Sequence, residues 1–258
     1  MKYFVAFMSY FVLRTAVISG AAYYAVRNLT WVRAKRIYQL PWAKGQIRQE
    51  LILAVRSLAV DALVVAVALE TGLLKINSDL EPRSALLMFV LIFIWFEAWF
   101  YYGHRLLHTK LLYRFHHQHH TAQVTSPWTS LNFSIVERLY LIVGALFVPV
   151  VWTWVQGPVP FAGVVAYFLF NYVFNVYGHL NVEFYPENYN NKLISNIWNS
   201  VTYHAIHHAR YQGHYGLFTP IFDRLHKTDF PDYKALYKKV VTSGGLHSLH
   251  EKGDFSEK

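Results

Sequence analysis

The chain of 258 residues contains no cysteine and has few charged residues. The lack of cysteine excludes disulfide bonds, thiolate zinc sites and iron–sulfur clusters, so that a bound metal must have nitrogen or oxygen ligands. Charged residues make up 15% of the sequence, whereas soluble proteins carry roughly 25%. Because 54% of the residues are hydrophobic, the composition indicates a protein embedded in a membrane.

Five apolar segments account for much of the length. They are residues 3–26, 51–74, 85–102, 139–155 and 161–176. A transmembrane helix needs about 20 apolar residues, so the last two segments are short and predict a tilted hairpin. We therefore expect an all-α integral membrane protein with about four transmembrane helices in two hairpins, or five if each apolar segment crosses.

Basic residues lie beside the apolar segments, where anionic lipid headgroups favour them, and they form no face suited to nucleic acid. Residues 27–50 hold six basic side chains against the single acid Glu50. Such a loop stays in the cytosol, which favours an uncleaved first span with its N-terminus outside over a cleaved signal peptide. We expect a multi-pass protein of the inner membrane in bacteria, or of the endoplasmic reticulum in eukaryotes.

Histidine is abundant, with 14 residues, most of them in short clusters. The spacing within each cluster is i, i+3 or i, i+4, which predicts imidazoles on one face of a helix. Nine ligands are too many for one ion, so the sequence predicts two metal ions at the cytosolic ends of the helices. The nine candidate ligands are His104, His108, His116, His119, His120, His179, His204, His207 and His208.

The metal chemistry leaves three functions open. Imidazole binds iron, zinc, copper and nickel. Neutral ligands leave the charge of two ions uncompensated, which suits a centre that binds and reduces O₂, whereas zinc would act only as a Lewis acid. A zinc-dependent membrane hydrolase normally has a glutamate within its histidine motif, and a metal transporter holds its ligands near the midplane of the bilayer. Both patterns are missing from the sequence, and we expect an oxygenase.

The histidine boxes resemble those of the fatty acid hydroxylase/sterol desaturase superfamily of membrane diiron oxygenases. Its pattern of H-x3-H, H-x2-HH and a later H-x2-HH is matched by boxes that begin at His104, His116 and His204. As in that family, a further histidine, His179, follows a membrane hairpin, and Tyr-Gly and Asp-Arg-Leu elements follow the last box. Residues 41–50 are similar to the C-5 sterol desaturase branch. The family usually has Asn in place of His214 and Trp in place of Phe222.

The resemblance implies a cytosolic helical cap that holds two irons, and O₂-dependent hydroxylation or desaturation of a membrane lipid, of sterol or fatty-acyl type. It implies no catalytic residue beyond the metal ligands. Electrons would come from a separate donor of cytochrome or ferredoxin type, because we identify no carrier domain in the sequence. We divide the chain into an N-terminal membrane hairpin with a basic cytosolic loop (1–84), a fatty acid hydroxylase-like catalytic domain (85–229) and a C-terminal tail (230–258).

Several other side chains are candidates for roles around the metal site. Glu97, Asn175 and His214 are the candidates to complete the site, and Asp223 and Asn199 are weaker candidates for a supporting role. Arg56 and Asp61 are expected to pair within the second span. Residues 232–241 predict an amphipathic helix, and the segment from Ser243 is expected to fray. The histidines expected to face solvent are His117, His226, His247 and His250.

Overall fold

The computed structural model describes residues 2–78 and 80–253, and it is almost entirely helical. In this part of the chain the α-helices are α1 (Lys2–Asn28), α2 (Thr30–Arg33), α3 (Gln46–Glu70), α4 (Pro82–Leu107), α5 (Tyr113–His116), α6 (Ile135–Val155), α7 (Phe161–Gly178), α8 (Val201–Arg210), α9 (Ile221–His226) and α10 (Tyr233–Thr242). Short 3₁₀ turns cover His119–Thr121, Pro127–Leu131, Glu187–Asn191 and Leu193–Asn196. The predicted all-α fold is confirmed.

Five helices, α1, α3, α4, α6 and α7, are long and apolar enough to cross a membrane. They coincide with the five predicted apolar segments, so the protein is a multi-pass membrane protein. The helix boundaries follow local capping signals. Glu81 accepts hydrogen bonds from the first amides of α4, with Pro82 at the first helical position, and Ser134 accepts one from Glu137 N at the start of α6. Pro149 lies within α6, where the surrounding helices make it tolerable.

Small residues allow these helices to approach closely. A Cβ atom on Gly163 of α7 would overlap the carbonyl oxygen of Ala85 in α4. A Cβ atom on Gly103 of α4 would overlap the hydroxyl oxygen of Tyr140 in α6. Glycine is therefore required at both crossings, as is common where membrane helices pack without a hydrophobic driving force.

The loops sort to two ends of the bundle. At one end, the loop between α3 and α4 contains β1 (Ile76–Asn77), which pairs in parallel with β2 (Val159–Pro160) from the loop between α6 and α7. At the other end lie the basic segment 29–45 and the histidine boxes. Trp42 Nε1 donates to Thr125 O at 3.0 Å, which joins the basic segment to the chain that follows the second box.

A cap covers this second end. Tyr38 and Asn181 exchange two hydrogen bonds of 2.9 and 3.0 Å, and Leu246 N donates to Ile37 O at 2.6 Å. Leu246 is fully buried, so the expectation that the chain frays from Ser243 is wrong for residues 243–253. Residues 254–258, to which the same expectation applies, lie outside the described part of the chain. An apolar side chain within the Gly- and Ser-rich segment anchors it. The predicted helix over 232–241 is confirmed as α10.

Candidate metal centre

Nine buried histidines form two groups beneath the cap. Within each group the nearest ring nitrogens lie within 4.8 Å of one another. The first group contains His104, His108, His116, His120 and His207, and the second contains His119, His179, His204 and His208. These are the nine residues that the sequence analysis selects as candidate ligands, and the structure brings all of them together.

The histidine boxes do not correspond to the two groups. In α8, His204 and His208 enter the second group and His207 enters the first. The second box contributes His116 at the end of α5, and the neighbouring residues His119 and His120 begin a 3₁₀ turn. The prediction that this box lies on one face of a continuous helix is therefore wrong. The break in the helix directs two adjacent imidazoles to different groups.

In five of the nine histidines, Nδ1 makes a hydrogen bond to an oxygen atom that is a carbonyl or a carboxylate. Because a carbonyl or carboxylate oxygen can only accept, each of these Nδ1 atoms carries the proton, and each Nε2 presents a lone pair. Four of the acceptors are backbone carbonyls and one is a carboxylate. The pairs are His104 with Tyr215 O (2.8 Å), His179 with Asn175 O (2.7 Å), His207 with Gly213 O (2.6 Å), His208 with Ala122 O (3.0 Å) and His116 with Glu137 Oε1 (2.6 Å).

The resulting arrangement of lone pairs fits a metal cation. The Nε2 atoms of His104 and His116 lie 3.1 Å apart, yet both histidines carry their proton on Nδ1, so neither Nε2 can donate to the other. His207 Nε2 is also buried and has no hydrogen-bond partner among the described residues. Two nitrogens bound at right angles to one ion at about 2.1 Å would lie about 3.0 Å apart. The first group thus has the spacing of nitrogens that share a cation.

The second group has the same character. His204 Nε2 lies 3.0 Å from His179 Nε2 and 3.1 Å from His208 Nε2. The last two nitrogens are lone pairs, because the Nδ1 atoms of both rings donate to carbonyls. A neutral His204 could satisfy at most one of them, so this group also lacks protons where its nitrogens converge. Nitrogen-only groups of this kind suit the transition metals.

Burial keeps the cluster neutral. The loss of hydration lowers the pKa of these imidazoles well below its usual range, and the neighbouring imidazoles lower it further. The neutral ring is the form that binds metal, so the ligands need no deprotonation at neutral pH. This holds for His116, His119, His120, His204, His207 and His208.

Glu137 is the carboxylate that contacts a histidine, and the sequence analysis missed it. It lies in the first turn of α6 and is fully buried, with Oε1 on His116 Nδ1. Its position three residues after Ser134, at the start of a span, was the available signal. Glu97, the candidate from sequence, accepts instead from the backbone amides of Phe218 (3.3 Å) and Thr219 (2.9 Å). It fixes the loop before α9 and makes no hydrogen bond to the described histidines.

Asp223 supports the site through the backbone. Its carboxylate accepts from Tyr215 N at 2.9 Å and from Gly216 N at 2.7 Å. Since Tyr215 O accepts from His104, Asp223 fixes the peptide that orients this histidine. Asn199 donates to Leu217 O at 3.3 Å in the same loop. Asn175 acts on His179 through its carbonyl oxygen.

The remaining sequence candidates divide between cap and surface. His214 is fully buried, stacks on Tyr203 with ring centroids 3.5 Å apart, and donates from Nδ1 to Tyr203 O at 2.9 Å. It lies outside both metal groups. The other four histidines are exposed as expected, namely His117, His226, His247 and His250.

The charged residues of α3 do not pair with each other, and the predicted Arg56–Asp61 pair is wrong. Arg138 of α6 donates to both carboxylate oxygens of Asp61. Arg56 donates instead to Gln118 Oε1 (3.0 Å) and Phe133 O (2.6 Å). Residues five apart on a helix point in different directions, so each side chain meets a different neighbour.

A cavity leads from the histidines into the helix bundle. His116, His119, His179 and His204 form its inner wall, and side chains of α1, α3, α4, α6 and α7 and of the segments before α6 and α9 line the rest. A second, apolar cavity lies nearer the opposite end of the bundle, where it reaches Ile76. Phe11 and Phe168 line both cavities, so the two adjoin each other.

Fold and site together define a multi-pass membrane protein with a histidine-rich candidate metal centre. The family model of the fatty acid hydroxylases matches residues 89–228, and the chain belongs to this family. Membership places it among the enzymes of the membrane diiron oxygenase superfamily, a family of metal-dependent oxygenases that act on membrane lipids. The resemblance inferred from the histidine boxes is confirmed.

The chain is also similar to plant aldehyde decarbonylases. It is 32% identical over 154 residues to the very-long-chain aldehyde decarbonylase GL1-4 of Oryza sativa subsp. indica, with 56% of this chain and 24% of that protein covered. It is 30% identical over 153 residues to the very-long-chain aldehyde decarbonylase CER1 of Arabidopsis thaliana, with 57% and 24% covered. The chain thus spans about a quarter of these relatives. No solved structure gives a significant match. Kinship to the sterol desaturase branch stays a prediction.

Proposed function

We propose that this protein is a membrane-bound non-haem diiron oxygenase that oxidises the hydrocarbon chain of a lipid at the cytosolic face. The observation that carries the proposal is the convergence of nine buried histidines into groups of five and four. In each group, lone pairs fixed by hydrogen bonds at Nδ1 face one another, which favours a cation between them.

We infer that the nine histidines hold two iron ions, one in each group. When bound, the irons would supply the O₂ chemistry that attacks an unactivated C–H bond. The protein contributes orientation and exclusion of water. Tyr215 O, Asn175 O and Glu137 fix the imidazole rings, and metal-binding histidines commonly require such partners. Phe133 stacks on His119 at 4.7 Å and adds an apolar ring to the cavity wall beside the second group.

The two adjoining cavities support a long, unbranched chain as the substrate, which favours the fatty-acyl type over the sterol type. Val164 lines the far cavity and His179 the near one. Fifteen residues of helix separate them, about 22 Å at 1.5 Å per residue. Each bond of an extended carbon chain advances about 1.25 Å, from a bond length of about 1.5 Å and an angle of about 111°. A chain of roughly 18 bonds would fill this length.

Hydroxylation and desaturation both remain open outcomes, because both begin with removal of hydrogen from carbon. A second candidate is oxidation of a long-chain aldehyde. The names of the plant relatives support it, with 30–32% identity over 153–154 residues. The decarbonylase names refer to proteins about four times as long as the aligned region.

We propose that electrons come from a separate carrier of cytochrome or ferredoxin type that approaches from the cytosol. Arg33, Lys35 and Lys44 are exposed on the segment that packs beside the cap, at the same end as the histidines. A basic surface there would attract an acidic carrier and speed its association.

The two other functions have weaker support. A zinc-dependent hydrolase needs a base near its metal-bound water, but Glu137 is engaged with the Nδ1 side of His116, away from the convergent nitrogens. A metal transporter needs ligands along a path through the bilayer, but the nine histidines are gathered at one end of the bundle.

The proposal is tested with purified full-length protein reconstituted with Fe(II). We expect two irons per chain, and an oxidised lipid that forms only with both O₂ and a reductant. H108A should abolish product, whereas H117A, which removes an exposed histidine of the same region, should leave it nearly unchanged. Product formed without O₂ would exclude an oxygenase and restore the hydrolase interpretation.

A further inference from the structure

Arg14 is a buried arginine in the middle of α1, outside the part of the chain that the family model matches. Its exposed fraction is 9%, and its side chain lines the cavity that reaches the histidines. Burying a charged side chain within a membrane helix bundle costs free energy, so such residues are usually paired or bind a ligand. The partners of Arg14 are therefore informative.

Aromatic rings position the Arg14 guanidinium. Its central carbon lies 3.8 Å from the ring centroid of Tyr172 and 5.0 Å from that of Phe11. The Tyr172 hydroxyl is hydrogen bonded to Ser19 at 2.7 Å, which holds the ring in place. Stacking of this kind stabilises a cation without neutralising it. The guanidinium is thus fixed in orientation and keeps its charge.

Arg14 has no carboxylate of its own in the described part of the chain. Asp61 is close enough to interact with it electrostatically, but both oxygens of Asp61 accept from Arg138. The other acid that lines the cavity, Glu137, is bound to His116. Arg14 Nε is buried and has no hydrogen-bond partner among the described residues. The cavity wall therefore contains a guanidinium whose Nε donor is unused.

The location of this group relative to the site determines what could bind. Arg138 pairs with Asp61 and packs on Phe133, with 5.6 Å from its central carbon to the ring centroid. Phe133 in turn stacks on His119 of the second histidine group. Arg138 thus lies beside the histidines, Arg14 lines the same cavity, and Phe11 and Phe168 line both this cavity and the adjoining apolar one. A ligand with one polar end and one long apolar tail matches this order.

We propose that Arg14 binds the carboxylate of a single-chain, long-chain fatty acid, with the tail in the adjoining apolar cavity. A carboxylate offers two acceptors to the planar guanidinium fork and compensates its buried charge. Arg14 is thus a specificity-determining residue that positions the carbons nearest the carboxylate beside the histidines. This assignment deepens the proposed function and rests on it for the identity of the reacting centre.

The test is equilibrium binding to the full-length, metal-free protein in nanodiscs, with palmitate, methyl palmitate and hexadecyl phosphate as probes. Metal-free protein prevents the carboxylate from binding through a metal ion. We expect palmitate to bind at least about tenfold more tightly than its methyl ester. R14M should abolish this preference without weakening the ester. R27M, which removes an exposed arginine from the same helix, should retain it.

Equal binding of palmitate and its ester by the unmodified protein would overturn the proposal, as would a preference that survives R14M. Equal binding of hexadecyl phosphate would overturn the assignment to a carboxylate. If R14M fails to fold, R14K and R14Q replace it, and we expect palmitate to raise Tm less in both than in the unmodified protein. The binding test needs neither iron nor O₂, so it is independent of the proposed oxidation. If the protein oxidised neutral lipids and showed no preference for a carboxylate, the role of Arg14 would be refuted and the proposed function would not.

Discussion

Glu137 Oε1 accepts a hydrogen bond from His116 Nδ1 at 2.6 Å, and both side chains are buried. The contact joins the first turn of α6, a membrane-spanning helix, to the second histidine box in the cap. A carboxylate at this position fixes the proton on Nδ1 and increases the electron density at Nε2, which strengthens metal binding. In the other four fixed histidines a backbone carbonyl takes this role, so His116 is the one member of this set that a carboxylate orients.

The first prediction concerns this carboxylate. E137Q keeps the shape of the side chain but removes its charge, and we expect the metal affinity of the first group to fall roughly 10–100-fold. E97Q is the matched control, because Glu97 is similarly buried but bonds to the amides of Phe218 and Thr219. Titration of the purified protein with Fe(II) measures both variants. Equal losses in the two variants would refute the specific role of Glu137.

The second prediction concerns the unequal size of the two groups. H204A leaves three histidines in its group, whereas H207A leaves four. We therefore expect H204A to reduce the bound iron from two towards one per chain, and H207A to retain more. Metal analysis by mass spectrometry gives the ratio. H117A serves as the control and should retain two, since its imidazole is exposed; a loss of metal there would contradict the ligand assignment.

The third prediction is the orientation in the membrane. Lys110 lies near the first histidine box and Ser78 lies in the loop that contains β1, at the opposite end of the bundle. The positive-inside rule places the end with the basic segment in the cytosol. An impermeant thiol reagent added outside intact cells should label S78C but not K110C, and both should react after permeabilisation. The absence of native cysteines makes the background low. The reverse pattern would invert the topology.

The fourth prediction concerns acid stability. Burial lowers the pKa of His214 from its ordinary value of 6.5 to about 3. Above pH 6.5 the folded and unfolded states are both neutral at this residue. Below it, the unfolded chain takes up a proton that the fold excludes, so stability falls as pH decreases from 6.5 to about 3, by about 1.4 kcal/mol per pH unit.

H214N removes this titration. We expect the unfolding free energy of the unmodified protein to fall more steeply than that of H214N between pH 6 and 5. Loss of the ring stacking lowers the unfolding free energy of H214N at every pH and does not change this slope. Thermal unfolding of metal-free protein in detergent measures the two slopes, and the histidine ligands contribute equally to both. H247N, at an exposed position, should keep the steeper slope. Parallel slopes for H214N and the unmodified protein would show that His214 is protonated in the fold.

The fifth prediction concerns helix packing. G163A places a methyl group against the backbone of α4, in overlap with Ala85 O, so that the two helices must separate. We expect a loss of about 1–3 kcal/mol of stability, as for other overpacked sites. A methyl group on Gly20 in α1 would meet no neighbouring helix within 4 Å, and G20A should be neutral or slightly stabilising. A Tm of G163A equal to that of G20A would contradict the close crossing.

The five spans, the two-ended order of the loops and the nine histidines were predictable from the sequence, because hydropathy and histidine spacing are local properties. Three expectations were wrong for one physical reason. The second box breaks its helix, Asp61 pairs with Arg138 and not with Arg56, and Leu246 anchors the last segment. Each depends on a neighbour distant in sequence, which local spacing does not reveal.

The sequence by itself determined the fold class and the composition of the candidate ligand set, since a transmembrane helix and a histidine motif each carry their own signal. Only the tertiary structure decided which imidazole joins which group, and that Glu137 rather than Glu97 contacts one of them. It also decided that Arg14 faces the cavity. These relations arise where helices cross, and the crossing geometry depends on the packing of the whole bundle.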